Sequence, residues 1–153
     1  MKRFFTLIIS LTVLVSCVQD SPNVKQIANM KFFIENQEQE GINVVEKGLH
    51  YAVLNYGDMN SKSPELSDTI TAHFHGTLTD GTVFWSSVDS DEPLTIELSK
   101  LIEGCQKIIS LMKQGDKWKV FIDPSMAYCE EGRPTIPSNS ILIFEIELLD
   151  IES

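Results

Sequence analysis

Short motifs of aromatic and aliphatic residues form the part of this sequence whose residue types and order could do chemistry. The motifs follow one another in the second half of the chain: residues 80–87 (DGTVFWSS), 101–104 (LIEG), 127–128 (AY), 136–137 (IP) and 141–149 (ILIFEIELL). They suggest neither an acid–base pair nor a cluster of metal ligands. Side chains of this kind predict a pocket with apolar walls, which would suit a conformational reaction.

Four aromatic residues are candidates for that pocket. Phe74, Phe84 and Phe144 would be core residues in almost any fold, and only the order of the motifs favours a place in a pocket. Tyr128 is favoured for the pocket because Ala127 and the downstream IP dipeptide accompany it.

Two histidines raise the question of a metal site. His73 and His75 are two residues apart in one predicted strand, so their side chains lie on the same face of a sheet. No third ligand is evident in the sequence, although zinc sites in proteins have three or four. Surface or edge histidines are therefore the favoured interpretation, and no metal or other cofactor is expected.

Most of the chain after residue 48 has the character of β-strands. Segments rich in β-branched and aromatic residues predict strands at 49–54, 68–78, 94–98, 118–122 and 141–151. In the last of these, apolar residues alternate with Glu145 and Glu147, which is typical of one buried and one wet face. The Asp80-Gly81 dipeptide favours a tight turn and predicts a hairpin between residues 70–78 and 83–84.

Two segments have helical spacing instead. The central one places apolar side chains at Leu101, Ile102, Cys105, Ile108, Ile109 and Met112, and Gly115 predicts where it stops. An antiparallel sheet wrapped over this one helix is an α+β fold. A short amphipathic helix is predicted over residues 24–39, with Ile27, Met30 and Ile34 on one face. It could pack on the domain or pair with a second copy of the chain.

In this order and at these separations, the motifs resemble those of the FKBP-type peptidyl-prolyl cis-trans isomerases, which rotate the peptide bond before proline. The resemblance covers residues 48–151 and implies an FKBP-like domain over 43–153, preceded by a helix and linker over 24–42. Residues 32–51 resemble the helix-to-domain junction of the Mip-like subgroup, in which longer helices mediate dimerisation. A monomer and a homodimer both stay open, with simple docking of the helix favoured.

The resemblance implies a cup for the proline ring and assigns residues to it. Its catalytic residues would be Tyr128, Ile102, Phe84 and Phe144, and its further substrate-binding residues Phe74, Trp85, Leu94, Leu101, Cys105 and Ile136. The Tyr128 hydroxyl and the backbone N–H of Ile102 would each donate to a substrate carbonyl. The substrates would be proline-containing unfolded or exported proteins.

Three positions depart from the family pattern. Trp85 stands where the family usually has aspartate, Cys105 where it has a tryptophan floor, and Phe74 where it has a strand tyrosine. The aspartate and tyrosine form a polar pair beside the substrate carbonyl, so their joint replacement makes the pocket less polar and could reduce activity. The alternative function is a non-catalytic FKBP-like chaperone or peptide-binding module that uses the same cup.

The first residues resemble a bacterial lipoprotein signal. A basic start precedes an apolar run over residues 4–15, which is shorter than the ~20 residues of a membrane-spanning helix. Residues 14–17 (LVSC) resemble a lipobox, which implies removal of residues 1–16, acylation of Cys17 and a tether over 17–23. The alternative is an ordinary signal peptide. A lipid anchor places the protein in the bacterial cell envelope, and Val18 after the cysteine favours the outer membrane.

Charge and cysteine content narrow the partners. The chain has a formal net charge of −10, and loss of Lys2 and Arg3 with the signal would leave −12, so binding to nucleic acid is disfavoured. Attachment to a membrane would depend on lipid at Cys17. The other two cysteines, Cys105 and Cys129, could pair in an extracytoplasmic compartment, but two free thiols are favoured.

Overall fold

The computed structural model describes residues 23–153, so the predicted signal peptide at 1–16 and the predicted lipidation site Cys17 lie outside the described residues. The helices are α1 (Val24–Asn36) and α2 (Glu103–Ile109), with short 3₁₀ turns at Leu98–Lys100 and Pro124–Met126. The strands are β1 (Ile42–Glu46), β2 (Leu49–Asn55), β3 (Thr69–Thr77), β4 (Val83–Ser86), β5 (Leu94–Glu97), β6 (Lys117–Ile122) and β7 (Leu142–Glu152). None of the helices in this part of the chain is long and apolar enough to span a bilayer.

The strands form one antiparallel sheet in the order β1-β2-β6-β7-β3-β4. β5 also pairs with β3, so that β4 and β5 follow one another along the same edge of that strand. The β3–β4 hairpin turns at Asp80-Gly81, as the sequence predicts, and Gly81 has a φ of +86° that favours glycine. The predicted α+β architecture is confirmed.

The main core lies between one face of the sheet and α2. Along β7 every second side chain from Leu142 to Leu148 is buried, which confirms the predicted alternation. α2 contributes Cys105, Ile108 and Ile109 to the same cluster, and these three side chains are almost inaccessible to solvent. Sheet face and helix stripe therefore bury each other, and the hydrophobic effect stabilises both elements together.

The opposite face of the sheet is partly covered by α1. Asn23 caps this helix: its side chain accepts from the Gln26 N–H at 2.9 Å, and the Gln26 side chain accepts from the Asn23 N–H at 2.9 Å. Phe33 is the buried anchor and packs with Phe121 of β6 and Ile141. The helix thus docks on its own chain.

The docking face of α1 differs from the apolar face that the sequence suggests. Ile27, Met30 and Ile34 remain exposed, and the helix instead buries Phe33 together with Asn29 and Asn36. Two hydrogen bonds from buried side chains of the helix help to hold it there: Asn29 Nδ2 donates to the Asn139 carbonyl at 3.0 Å, and Asn36 Nδ2 lies 3.2 Å from His50 Nδ1. Buried polar side chains with hydrogen-bond partners, together with one phenylalanine, set the rotation of the helix.

Two elements also differ from the prediction. β1 is an unpredicted edge strand that pairs with β2, and four of its five residues are exposed. α2 ends at Ile109 and the chain continues in turns through Met112, although Met112 is fully buried. Gly115 follows these turns with a φ of +87°, so it ends the turn segment and not the helix.

Candidate functional site

A cleft of about 530 Å³ opens beside the start of α2, between the sheet and the loop that follows β6. Its walls are mostly apolar: Phe74, Phe84, Trp85, Lys100, Leu101, Ile102, Cys105, Tyr128, Arg133, Thr135, Ile136 and Phe144. The fold therefore brings together all the residues predicted for the cup except Leu94. These side chains belong to β3, β4, α2 and β7 and to two connecting segments, residues 98–102 before α2 and residues 123–141 between β6 and β7. These parts of the chain are distant from one another in the sequence.

Leu94 does not line this cleft. It begins β5, pairs with Ala72 of β3, and packs half-buried against the main core. Since β5 occupies the part of the β3 edge beyond β4, its first residue lies along the sheet and not over the cleft.

Aromatic rings form one wall of the cleft in contact with each other. Phe84 and Phe144 meet edge to face with centroids 5.4 Å apart, and Phe74 meets Phe144 in the same way at 6.2 Å. Trp85 stacks on Phe74 at 5.2 Å and keeps 39% of its surface exposed. Such pairs contribute about 0.5–1.5 kcal/mol beyond their burial, so the wall is held in shape before any ligand arrives.

Gly76 lets two of these rings approach the sheet. A Cβ at this position would lie 2.5 Å from Phe84 Cζ and 2.8 Å from Phe144 Cε1. Gly76 is the β3 residue opposite Phe144 in the β3–β7 register and opposite Trp85 in the β3–β4 register. The rings of Phe84 and Phe144 therefore pack directly against the β3 backbone at Gly76.

Cys105 lies at the base of the cleft with only 2% of its surface exposed. Burial raises the pKa of its thiol to about 12, because desolvation disfavours the thiolate. The side chain is therefore a protonated, apolar surface at neutral pH and not a nucleophile. Cys129 is exposed in the loop after β6, and both cysteines are free thiols.

The segment before α2 carries Leu101 and Ile102 to the rim. The Gln106 side chain donates to the carbonyls of Leu101 at 2.6 Å and Ser99 at 3.0 Å, which fixes the turn that precedes the helix. Ile102 is the N-cap residue of α2, and its N–H has no hydrogen-bond acceptor within residues 23–153. A backbone donor therefore remains at the rim of the cleft.

Tyr128 is held by a loop with its own hydrogen bonds. Its carbonyl accepts from the Gly132 N–H at 3.0 Å, and Arg133 and Ile136 exchange two backbone bonds at 2.8 and 2.9 Å. Gly132 has a φ of +64°, and a Cβ there would lie 2.4 Å from the Ile136 carbonyl oxygen. In the described part of the chain no group bonds the Tyr128 hydroxyl, which is thus available to a ligand.

Three lining residues were not predicted from the sequence: Lys100, Arg133 and Thr135. The Arg133 guanidinium lies 4.4 Å from the centroid of the Tyr128 ring. Adjacency was the available signal, since Lys100 immediately precedes Leu101 and Thr135 immediately precedes Ile136.

A larger cavity of about 760 Å³ lies elsewhere, between α1 and the β1–β2 turn. It includes Met30, Phe33, Val44 and His50 but none of the residues predicted for the cup. Size alone would favour this groove as a binding site. The smaller cleft has the convergent aromatic walls and two available hydrogen-bond donors, which are the features that orient a ligand.

His73 and His75 lie half-buried on the outer face of the sheet. His73 Nδ1 is 3.0 Å from the Ser87 hydroxyl, and His75 Nδ1 is 3.0 Å from the Ser86 hydroxyl. Across residues 23–153 no three histidine, cysteine or carboxylate side chains are placed to hold one metal ion. Both histidines have structural hydrogen bonds to the neighbouring strand β4 and the residue after it.

Comparison with known proteins gives a consistent answer. Residues 60–149 match the family described as FKBP-type peptidyl-prolyl cis-trans isomerase. The FkpA isomerase of Aeromonas hydrophila is 41% identical over 122 residues, covering 80% of this chain and 45% of the relative. The outer membrane protein MIP of Legionella longbeachae is 37% identical over 123 residues, covering 79% of this chain and 52% of the relative.

The fold comparison agrees with the sequence comparison. The crystal structure of FkpA from Escherichia coli superposes with a TM-score of 0.77 at 34% identity, covering 84% of this chain and 59% of that one. The chain spans about half the length of the curated relatives that it matches. The family match, the relatives and the FKBP fold agree with the predicted resemblance, including its Mip-like character: this chain belongs to the FKBP-type peptidyl-prolyl cis-trans isomerase family.

Proposed function

We propose that this protein catalyses cis-trans rotation of X-Pro peptide bonds in exported proteins, and that the 530 Å³ cleft is its active site. The observation that carries the proposal is the convergence of apolar walls with two unused donors, the Tyr128 hydroxyl and the Ile102 N–H, in a member of this family. The domain that acts would be residues 43–153.

The physics of the reaction suits such a cleft. Amide resonance sets a rotational barrier of ~18–20 kcal/mol, and the resonance is lost when the bond twists. An apolar cleft disfavours the more polar planar amide, while donors that meet the rotated carbonyl bind the transition state better than the ground state. Neither a nucleophile nor a cofactor is required, and the protonated Cys105 would serve only as an apolar floor.

In this proposal the side chains have distinct roles. Phe84 and Phe144, in contact edge to face, would hold the proline ring. The Tyr128 hydroxyl and the N–H of Ile102 would each donate to a substrate carbonyl. Ile136 and Leu101 would close the apolar surface around the ring.

Phe74 and Trp85 stack on one another where the family usually has a polar tyrosine–aspartate pair. The stacked rings replace a hydrogen-bonded unit without leaving an unpaired carboxylate, so the family's fold survives the change. We expect lower activity than a polar pair would give. The exposed part of Trp85 also favours the second candidate function, a module that binds extended apolar segments without turnover.

Catalysed isomerisation of an X-Pro peptide by residues 21–153 tests the proposal. The parent should accelerate rotation, and Tyr128→Phe, which removes one hydroxyl and keeps the ring, should reduce kcat/KM. Trp85→Asp tests the altered pair and should raise activity. Peptide binding without acceleration by the parent, with turnover restored by Trp85→Asp, would support the binding module instead.

We further propose that Cys17 is lipidated after removal of residues 1–16, which anchors the protein in the cell envelope, facing the periplasm or cell surface. The LVSC sequence supports lipidation, and the Legionella longbeachae relative, which is named an outer membrane protein, supports the outer membrane. Membrane fractionation and mass spectrometry of the amino-terminal peptide test it. Cys17→Ser should release the protein from the membrane fraction and remove the acyl mass.

The oligomeric state is a separate proposal. Because α1 packs Phe33 against its own sheet, we propose a monomer, although Ile27, Met30 and Ile34 leave an exposed apolar stripe that a homodimer could bury. Sedimentation equilibrium decides: a single species at the monomer mass supports docking alone. Association that Ile27→Ser abolishes would instead support pairing through α1.

A further inference from the structure

The charged side chains that line the cleft are both cations. Lys100 and Arg133 stand at its rim, and no carboxylate lines it within the described residues, although the whole chain has a formal net charge of −10. The two cations therefore give the lining of the cleft a positive local field, which the carboxylate of Glu97, 4.0 Å from Lys100, partly offsets. Such a field favours ligands with a negative charge near the rim and disfavours cationic ones.

Arg133 is placed to bind a carboxylate. Its guanidinium stacks over the Tyr128 ring at 4.4 Å, and Nη1 donates to the Gly132 carbonyl at 2.9 Å. These contacts use one face and one donor of a group that has five donors in a planar fork. None of the ion pairs among residues 23–153 includes Arg133, so its remaining donors have no carboxylate partner.

Two acidic residues near Arg133 are the obvious competitors. Glu130 and Glu131 line an adjacent cavity of about 470 Å³ with Arg133 and Tyr128, but they are exposed and neither forms an ion pair with the guanidinium. Lys100 is paired only loosely, with Nζ 4.0 Å from Glu97 and 67% of its side chain exposed. Both cations therefore remain available to a ligand in the cleft.

We propose that the cleft selects prolines with an acidic residue next to them, and that Arg133 binds the carboxylate while Lys100 adds attraction. The inference rests on the proposed isomerase function and names its substrate class. Because the Arg133 guanidinium stacks on the Tyr128 ring, a substrate carboxylate bound to Arg133 would lie beside Tyr128, whose hydroxyl is proposed to donate to the substrate backbone. Arg133 is thus a specificity-determining residue.

Matched peptides test the inference in the full chain. The kcat/KM values of Glu-Pro and Gln-Pro peptides, and of Pro-Glu and Pro-Gln peptides, give two ratios that cancel any general effect on catalysis. At least one ratio should be about two- to fivefold in favour of glutamate, the range of an exposed ion pair. It should fall towards one in high salt.

Variants assign the preference to the rim. Arg133→Gln should bring the favourable ratio close to one. Arg133→Lys should keep part of the preference for glutamate, because lysine retains the positive charge but lacks the planar set of guanidinium donors. Lys62→Gln, which removes a cation outside the cleft, should leave the ratio unchanged. A parent in which neither ratio exceeds one, or a ratio that Arg133→Gln does not change, overturns the inference.

The same peptides separate this failure from failure of the proposed function. If the parent accelerates none of them, the isomerase proposal fails, and the dissociation constants of the glutamate and glutamine peptides then decide the inference. Tighter binding of the glutamate peptide that depends on Arg133 would sustain an acid-selective site. Equal affinities would reject it.

Discussion

Gly76→Ala should distort the cleft, because a methyl group on β3 would displace the aromatic rings that line it. The added methyl would lie 2.5 Å from Phe84 Cζ, whereas ordinary contact begins at 3.4 Å, so the ring edge has to move by about 0.9 Å. Phe144 Cε1 at 2.8 Å blocks the other direction. Phe84 is half-buried and faces the cleft, and the easiest movement therefore carries it into the space proposed for proline.

The expected magnitudes follow from this displacement. Overpacking of a well-packed site typically costs ~1–3 kcal/mol, and alanine recovers ~0.4–1 kcal/mol by restricting the unfolded chain, so a net loss of about 1–2 kcal/mol remains. Misplacing a binding group by about 1 Å can reduce the rate about 10²-fold. We expect kcat/KM to fall by about 10- to 100-fold, well beyond what the stability loss explains.

Gly81→Ala is the matched control. Gly81 has a φ of +86° and nothing within 4 Å of its would-be Cβ, so alanine meets backbone strain of about 1–2 kcal/mol without touching the cleft. Denaturant unfolding should show similar losses for both variants, while X-Pro isomerisation should fall only for Gly76→Ala. Equal activities of the two variants would refute the proposed place of Phe84 in the site.

Three further predictions concern other buried groups. Burial lowers the pKa of His50 below its usual 6.5, so the folded state disfavours the proton; this contribution to stability is present above pH 6.5 and is lost as the pH falls below that value. The unfolding free energy should therefore decrease from pH 7.5 to 5.5, and His50→Gln should reduce that decrease; an unchanged slope would contradict the assignment. In native residues 21–153, a thiol reagent should modify exposed Cys129 quickly and buried Cys105 only after unfolding; rapid modification of both would contradict the burial. The buried indole N–H of Trp118 has no acceptor within residues 23–153, so Trp118→Phe removes an unpaired donor that costs ~1–3 kcal/mol. That gain should offset the lost contacts and leave the unfolding free energy within about 1 kcal/mol of the parent, and a larger loss would show that the indole N–H has a partner.

The sequence predicts the core of this fold well because the core is periodic. Alternation along β7, helical spacing in α2 and the Asp80-Gly81 turn are local signals that tertiary contacts reinforce. The cleft follows from the same logic, since the motif order places Phe84, Ile102 and Tyr128 on elements that converge. Among the residues predicted for the cup, only Leu94 lies outside the cleft. Its position depends on the pairing of β5 with β3, which no pattern in the surrounding residues predicts.

The features that the sequence did not predict lack a hydrophobic signal. β1 is an exposed edge strand, so burial imposes no alternation on it. The rotation of α1 depends on hydrogen bonds from Asn29 and Asn36 to distant partners, which hydrophobic periodicity does not rank. Arg133 reaches the cleft through a turn at Gly132 that is built from backbone contacts with residues 136–138, and no hydrophobic pattern marks such a turn.

We expect proline peptides to bind in the smaller aromatic cleft and not in the larger groove beside α1. Backbone amide chemical shifts of residues 21–153, followed during titration with an X-Pro peptide, distinguish the two sites. The largest shift changes should occur at Phe84, Ile102 and Tyr128, and Gly76→Ala should remove them. Changes concentrated at Phe33 and Val44, with the cleft amides unmoved, would contradict it.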